Sequence, residues 1–292
     1  MTTEPTTNGE LRTEASPFFR PGESHVDQKL LRRQHLTEKA AGIFLLACAV
    51  VSVLTTIGIV VVLLAQALKF FADVPVVDFL TGREWTALFQ NQQQWGVLPL
   101  VSATLMVTVL SMVVAVPLGL MSAIYLSEYA SPRMRSILKP SLELLAGIPT
   151  IIYGFFALTF ITPEILKRIW PQTSVYNVLA AAIAVGIMIV PLIASLSEDA
   201  IRSVPRSMRE GAYALGATKF EVSSRIIVPA ALSGIVASFI LAASRAVGET
   251  MIVALAAGSK AQMVTNPLQP GETMTGYIVQ VVSGDAPRGS TI

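Results

Sequence analysis

The chain has 292 residues, of which 53% are apolar and only 14% are charged, and its formal net charge is +2 at pH 7. A soluble domain of average composition carries about 25% charged residues, so this composition argues against an ordinary soluble protein. The net charge is too small to indicate nucleic-acid binding, and the single cysteine, Cys48, excludes an internal disulfide.

Five stretches without any charged residue point to a membrane protein. They cover residues 40–68, 85–127, 144–163, 169–197 and 226–244. A helix needs about 20 apolar residues to cross the hydrocarbon of a bilayer. Because these runs are continuously apolar rather than alternating, spanning helices are favoured over a β-barrel. We therefore predict an all-α fold, a polytopic bundle of transmembrane helices with five visible spans.

The predicted elements begin with a polar tail, residues 1–39, which we expect to be cytoplasmic and mostly disordered because it is rich in Thr, Glu, Pro and Gly. Its basic residues Lys29, Arg32, Arg33 and Lys39 are expected to attract anionic membrane lipid. Residues 40–292 form the membrane domain. Its spans are predicted at about 41–67, 97–124, 142–162, 175–196 and 228–257.

The distribution of basic residues predicts the topology. Fourteen Lys and Arg residues fall in segments 1–39, 128–143 and 198–225, whereas six fall in segments 69–84, 164–168 and 260–292. Short cytoplasmic loops carry the excess of Lys and Arg. The N-terminus and the loop of residues 198–227 are therefore expected on the cytoplasmic side.

The polar loop 198–227 has helix signals of its own. Pro205 is typical of a helix start, and Gly216 of the position just after a helix end. Thr218 and Glu221 have the spacing of a capping box, which opens a second helix. We predict two short helices joined by a turn at Gly216, which together form a compact knob.

Two charged residues, Arg245 and Glu249, lie inside the predicted fifth span. A charge at the centre of a membrane helix costs about 2.5–3.5 kcal/mol, so some interaction must compensate. Residues four apart share one face of a continuous helix, which allows a structural ion pair. Alternatively, Arg245 meets an anion that crosses the membrane, since its guanidinium donates two hydrogen bonds to phosphate, and Glu249 orients it when the path is empty.

The knob segment resembles the EAA loop of ABC importer permeases. The matching residues are Glu210, Gly211, Ala212, Gly216, Ile226 and Pro229. Three residues separate Ala212 from Gly216, and nine residues separate Gly216 from Ile226, as in that loop. Gly211 and Val228 stand where the family has Ala and Leu. The resemblance implies that the matching residues couple the permease to an ATPase; an ordinary amphipathic loop is the alternative.

Two further stretches resemble the permeases of phosphate-specific transport systems. Arg245 to Met251, with the sequence Arg-Ala-Val-Gly-Glu-Thr-Met, is similar to that family's fifth span. Residues 143–154 contain Ala-Gly-Ile-Pro and Tyr-Gly at the family's spacing, and residues 271–285 are similar to the PstC-type subunit. By this resemblance, Arg245 and Glu249 belong to the translocation path.

The resemblance implies a type I ABC importer in the cell (inner) membrane. Its expected partners are a second, PstA-type permease subunit, an ATPase dimer, an extracytoplasmic phosphate-binding protein and membrane lipid. Such permeases have one further span at the C-terminus, so that their chain ends on the cytoplasmic side. Since residues 258–292 contain no further apolar run, we expect the C-terminus to be truncated and the sixth span to be missing.

Other functions predict features that the sequence lacks. The chain has no Gly-x-x-x-x-Gly-Lys-Ser/Thr loop, so ATP hydrolysis is expected on a separate subunit. A secondary transporter predicts inverted repeats, and no convincing repeat is visible. The predicted spans contain no His, which argues against an intramembrane enzyme. We therefore expect no catalytic residues, metal ligands or cofactors, and the alternative within the permease interpretation is another tetrahedral oxyanion.

Overall fold

The computed structural model describes residues 28–87 and 93–283, most of which are helical. The contacts divide the chain into two units, residues 1–70 and 71–292. Helix α1 (Gln28–Asp73) accounts for the described part of the first unit and ends just inside the second. Of the predicted tail, residues 1–27 lie outside the described residues, and the chain is helical from Gln28 onward rather than from residue 41.

The second unit contains the remaining elements. In chain order these are α2 (Val76–Thr81), α3 (Leu98–Ile124), π1 (Tyr125–Tyr129), α4 (Pro132–Ala146), α5 (Thr150–Phe156), π2 (Ala157–Leu166), α6 (Lys167–Ile169), α7 (Val178–Ser203), α8 (Arg206–Ala214), α9 (Lys219–Glu221), π3 (Val222–Ile227), α10 (Val228–Ala230), α11 (Leu232–Val247), α12 (Met251–Ala256) and α13 (Met274–Val282). The π segments are π-helical turns that continue α-helices.

Four helices in the described residues are long and apolar enough to cross a membrane. They cover Glu38–Asp73, Leu98–Tyr129, Thr150–Ile169 and Val178–Ser203. A fifth candidate is a broken span, in which Lys219–Ala230 and Leu232–Val247 meet at an angle of 70°. The prediction of an all-α bundle with membrane-spanning helices is confirmed.

The third span begins at Thr150, whereas the sequence placed it at about 142–162. Residues 132–146 form a separate helix, α4, whose N-terminus is capped by the Ser131 side chain. The chain then breaks over Gly147, Ile148 and Pro149, because proline has no backbone N–H to continue the helical ladder. The span continues through π2 and α6 to Ile169.

The segment predicted as one fifth span, 228–257, consists instead of α10, α11 and α12. The first break is at Ala231, and the second covers Gly248–Thr250. The polar residues at the second break hydrogen-bond locally, which competes with the helical ladder. Residues 258–292, predicted to contain no further apolar run, include the apolar helix α13, which is capped by Thr273.

The core of the second unit is formed mainly where α3 packs against α7. Nearly half of the buried residues of α7 are small, including Ala180, Ala181, Ala184 and Gly186, and small residues allow close helix approach. The hydroxyls of α3 are used within the chain. The Thr104 hydroxyl donates to the carbonyl of Leu100 at 2.8 Å and accepts from the N–H of Met274 at 3.1 Å.

Candidate functional site

The knob, predicted within residues 198–227, is formed by the segment between α7 and α11, residues 204–231, and is built on two short helices. Helix α8 begins after Pro205, and α9 begins after Thr218. The Thr218 and Glu221 side chains exchange hydrogen bonds with each other's backbone, which is the expected capping box. Gly216 joins the two halves with a φ of 83°, in the left-handed region that favours glycine. The local structure predicted for this loop is confirmed.

The outer surface of the knob exposes large apolar side chains. Leu215 is 90% exposed and Phe220 is 71% exposed, and they flank the Gly216 turn. Four of the six predicted coupling residues are also exposed, namely Glu210, Gly211, Gly216 and Pro229. Single exposed apolar residues are common, but two large ones beside a sharp turn make a surface suited to a partner. The motif did not identify Leu215 or Phe220, although both lie within its spacing.

The inner surface of the knob packs on the ends of the spans. Ala212, the third predicted coupling residue, is buried, and Ile226 is half-buried. Ala212 shares an apolar cluster with Ile201 and Val204 at the end of α7 and with Val222 of π3. The knob therefore has a buried face toward the bundle and an exposed face away from it.

Glu249 is held by the helix that follows it. Its carboxylate is buried and accepts from the N–H groups of Met251 at 3.1 Å and Ile252 at 3.2 Å, the first N–H groups of α12. A carboxylate at a helix N-terminus satisfies donors that have no partner within the helix. The backbone carbonyl of Glu249 accepts from the Thr275 hydroxyl of α13 at 2.5 Å. Glu249 thus fixes the break between α11 and α12.

Arg245 does not form the ion pair with Glu249 that a continuous helix would allow. Arg245 lies in the last turn of α11, and the helix ends two residues later, at Val247, before it reaches Glu249. Its side chain is exposed and has no hydrogen bond or ion pair within the described residues. The structural-pair interpretation of these two residues is therefore not supported by the geometry.

Arg245 lines a cavity of about 210 Å³ between α4, α7 and α11. The polar residues around this cavity are Arg245, Lys139, Glu143, Ser195 and Glu198. Its apolar lining includes Leu126 of π1 and Met188 of α7, and Glu249 is not part of the lining. The cavity thus offers one unpaired guanidinium in a partly apolar wall.

Glu198 is a functional candidate that the sequence did not reveal. Its side chain is fully buried and forms ion pairs with Arg135, with Lys139 at 3.3 Å and with Arg202 at 3.8 Å. Three cations around one carboxylate compensate its desolvation, which a buried charge requires. Because two of them lie on α4, the cluster ties that helix to the end of α7 beside the cavity.

Trp85, Trp95 and Tyr277 form an aromatic cluster near the N-terminal ends of α3 and α7, away from the knob. The Trp85 ring is 5.9 Å from Trp95 and 5.2 Å from Tyr277, measured between centroids. Glu272, near this cluster, is almost fully buried, and its Oε1 has no hydrogen-bond partner within the described residues. Burial raises the pKa of Glu272 to about 7.

Comparison with known proteins places the chain in a family. Residues 115–282 match the family described as "Binding-protein-dependent transport system inner membrane component". The chain is 34% identical over 270 residues to "Probable ABC transporter permease protein YqgH" of Bacillus subtilis, which covers 91% of this chain and 86% of that protein. It is 31% identical to "Phosphate transport system permease protein PstC" of Mesorhizobium japonicum, over 84% of this chain and 77% of that one.

A solved structure also resembles the chain. It is described as the "MetNI methionine ABC transporter" in inward-facing conformations, and it is 20% identical, with a TM-score of 0.48. The similarity covers 67% of this chain and 82% of that one.

Proposed function

Because the chain belongs to the family of binding-protein-dependent transport system inner membrane components, we propose that it imports inorganic phosphate as a permease subunit. It is a membrane-embedded, multi-pass transport subunit rather than an enzyme. Its partners in this proposal are a PstA-type permease subunit, two ATPase subunits, an extracytoplasmic phosphate-binding protein and membrane lipid. The N-terminus and the knob lie on the cytoplasmic side, which the basic residues favour.

The unpaired Arg245 in its cavity is the observation that carries the anion path. An unpaired guanidinium inside a membrane protein is energetically unfavourable, so its presence indicates a function. Phosphate matches the two parallel N–H donors of that group. Glu249 contributes to the path by holding the helix break that ends α11 beside Arg245. Several relatives bear names that specify phosphate transport, which favours phosphate over another tetrahedral oxyanion.

Uptake by the assembled transporter tests the substrate. Proteoliposomes that contain this chain and its partner subunits should accumulate radiolabelled phosphate only when ATP and the loaded binding protein are both supplied. Excess sulfate should leave that uptake unchanged. Uptake of sulfate in preference to phosphate would replace phosphate with another oxyanion, and uptake without ATP would favour a secondary transporter.

The exposed face of the knob supports a role in ATPase coupling. Leu215 and Phe220 offer apolar surface on the knob that also exposes Glu210, while the other face is buried against the bundle. Such surface gains stability when a partner covers it, by about 25 cal/mol per Å² of apolar area. In this proposal the six coupling residues act together within one knob: they supply its contact with the ATPase, its turn and its anchoring on the bundle. They are Glu210, Gly211, Ala212, Gly216, Ile226 and Pro229.

Replacing the apolar side chains tests this docking surface. Leu215→Ser with Phe220→Ser should sharply reduce the amount of ATPase that co-purifies with the membrane subunits. The control is Ile137→Ser on α4, which is 63% exposed but outside the knob. If ATPase recovery from the double variant equals that from the control, this surface is not where the ATPase docks.

A further inference from the structure

Arg209 of α8 joins the knob to two spans at once. Its guanidinium donates to the carbonyls of Val204 at 2.7 Å and Ile201 at 2.8 Å, at the C-terminal end of α7. It also pairs with the Glu128 carboxylate of π1 at 3.2 Å. A cation at a helix C-terminus satisfies carbonyls that have no intrahelical partner and favours the helix dipole.

The pair between Arg209 and Glu128 is shielded from solvent. The Arg209 side chain is 18% exposed and that of Glu128 is 8% exposed, so water screens their attraction less than it would at the surface. Breaking such a pair leaves the remaining charge buried without compensation. The pair therefore holds its two elements together more firmly than an exposed ion pair would.

Both elements that Arg209 contacts also line the Arg245 cavity. Leu126 of π1 lies two residues before Glu128, and Glu198 of α7 lies one turn before Ile201. Only Val204 and Pro205 separate α7 from α8, so the connection is short. Arg209 therefore connects α8 to two elements that form walls of the cavity.

We propose that Arg209 and Glu128 are positioning residues that transmit movement of the knob to the cavity around Arg245. The inference rests on the proposed coupling role of the knob and adds the link between the knob and the path. Arg209 does not line the Arg245 cavity, and it is not one of the exposed apolar residues of the knob, Leu215 and Phe220. Its loss should leave ATPase docking and phosphate binding in place and should disconnect them from one another.

The test uses the complete transporter in proteoliposomes, with Arg209→Ala, the milder Glu128→Gln, and Arg209→Ala combined with Glu128→Ala. The stimulation of ATP hydrolysis by the loaded binding protein and the maximal phosphate uptake should both fall about tenfold in Arg209→Ala, the scale of a lost charge-assisted hydrogen bond. The ATPase should still co-purify, and the phosphate concentration at half-maximal uptake should not change. Arg209→Lys should recover part of the rate.

The controls separate this inference from the coupling role itself. Arg133→Ala removes an exposed arginine of α4 and should behave as wild type. The double variant should be no worse than Arg209→Ala, because the two residues form one link. The proposal would be overturned if the binding protein stimulated ATP hydrolysis fully in Arg209→Ala and Glu128→Gln. It would also be overturned if the losses of activity added up in the double variant, or if Arg209→Ala lost the bound ATPase. If Gly216→Val is also fully active, the coupling role of the knob fails; if only Gly216→Val is impaired, the link alone fails.

Discussion

Gly119 of α3 lies against Ile193 of α7 so closely that a Cβ atom at position 119 would be 2.7 Å from the Ile193 Cβ and Cγ2 atoms. Real Cβ atoms do not approach other carbons to that distance, so only glycine permits the crossing. The contact sits in the pair of helices that forms the core, and α7 carries part of the cavity wall. Ile193 thus lies between Leu192 and Ser195, two residues of α7 that line the cavity.

Gly119→Ala should destabilise the bundle. Overpacking of a well-packed core costs about 1–3 kcal/mol, because the neighbouring helix must move away. The thermal unfolding of the purified protein in detergent should show a lower Tm. Val113→Ala on the same helix is the control, since Val113 is 65% exposed and its truncation opens no buried space. Equal Tm values for Gly119→Ala and wild type would contradict the close crossing.

The helical class and the knob could be predicted because their signals are local. An apolar run of sufficient length predicts a span, whatever its neighbours are. In the same way, Gly216 and the capping box of Thr218 and Glu221 determine a turn and a helix start within a few residues. These features involve no contact with distant parts of the chain.

The ion cluster and the cavity that Arg245 lines could not be predicted, because they depend on tertiary contacts. Glu198 meets Arg135 and Lys139 from a helix some 60 residues earlier, and nothing in the charge pattern identifies such partners. The expected pair of Arg245 and Glu249 assumed a continuous helix. One glycine, Gly248, gave too weak a signal to predict that the helix ends between them.

Gly216→Val should uncouple the transporter. A β-branched residue is strongly disfavoured at a φ of 83°, so the turn between α8 and α9 would have to change. We expect membrane insertion to persist while ATPase association or stimulation is lost. Gly216→Asn is the matched control, because Asn tolerates the left-handed region, and open space surrounds the position. Wild-type transport by Gly216→Val would exclude a coupling role for this turn.

Cysteine labelling should place the knob and the aromatic cluster on opposite sides of the membrane. Helix α3 and π1 lead from the aromatic cluster, near Trp95, to Glu128 beneath the knob. In a Cys48→Ala background, Glu210→Cys should react with an impermeant reagent only from the cytoplasmic side. Arg83→Cys, an exposed position near Trp85, should react only from outside. The reverse labelling would reject the topology that the basic residues predict.

Stability should depend on the protonation of Glu272. Its pKa is about 7 in the folded protein because burial disfavours the charged form, whereas its ordinary value is 4.5. The folded state therefore holds the proton over a range where the unfolded state has lost it. The stabilisation is complete below about pH 4.5 and is lost as the pH rises toward 7, by about 3 kcal/mol in total.

Glu272→Gln should remove this dependence, because the neutral amide has no proton to lose. Tm measured between pH 5 and 8 should fall with rising pH in wild type and stay nearly constant in the variant. Glu84→Gln, at an exposed carboxylate, should keep the wild-type profile. Parallel profiles for wild type and Glu272→Gln would show that Glu272 is not buried as a neutral acid.

The two functions considered for Arg245 predict different results when charges are removed. If Arg245 served only to balance Glu249, replacing both by neutral residues would preserve uptake, since the pair would vanish together. The structure gives Glu249 a separate task at the start of α12. Glu249→Gln keeps a side-chain oxygen that can accept those hydrogen bonds, so we expect this variant to insert, assemble and retain substantial uptake.

Arg245→Gln should abolish phosphate uptake, and Arg245→Gln combined with Glu249→Gln should do the same, because both lack the guanidinium that we propose binds the anion. Arg245→Lys should lie between these variants and wild type, since Lys keeps the charge but loses the fork that binds two oxygens. Radiolabelled phosphate uptake is the measurement, with expression and complex assembly checked for each variant. Wild-type uptake by the double variant would remove Arg245 from the path and leave the cavity it lines without an anion-binding group.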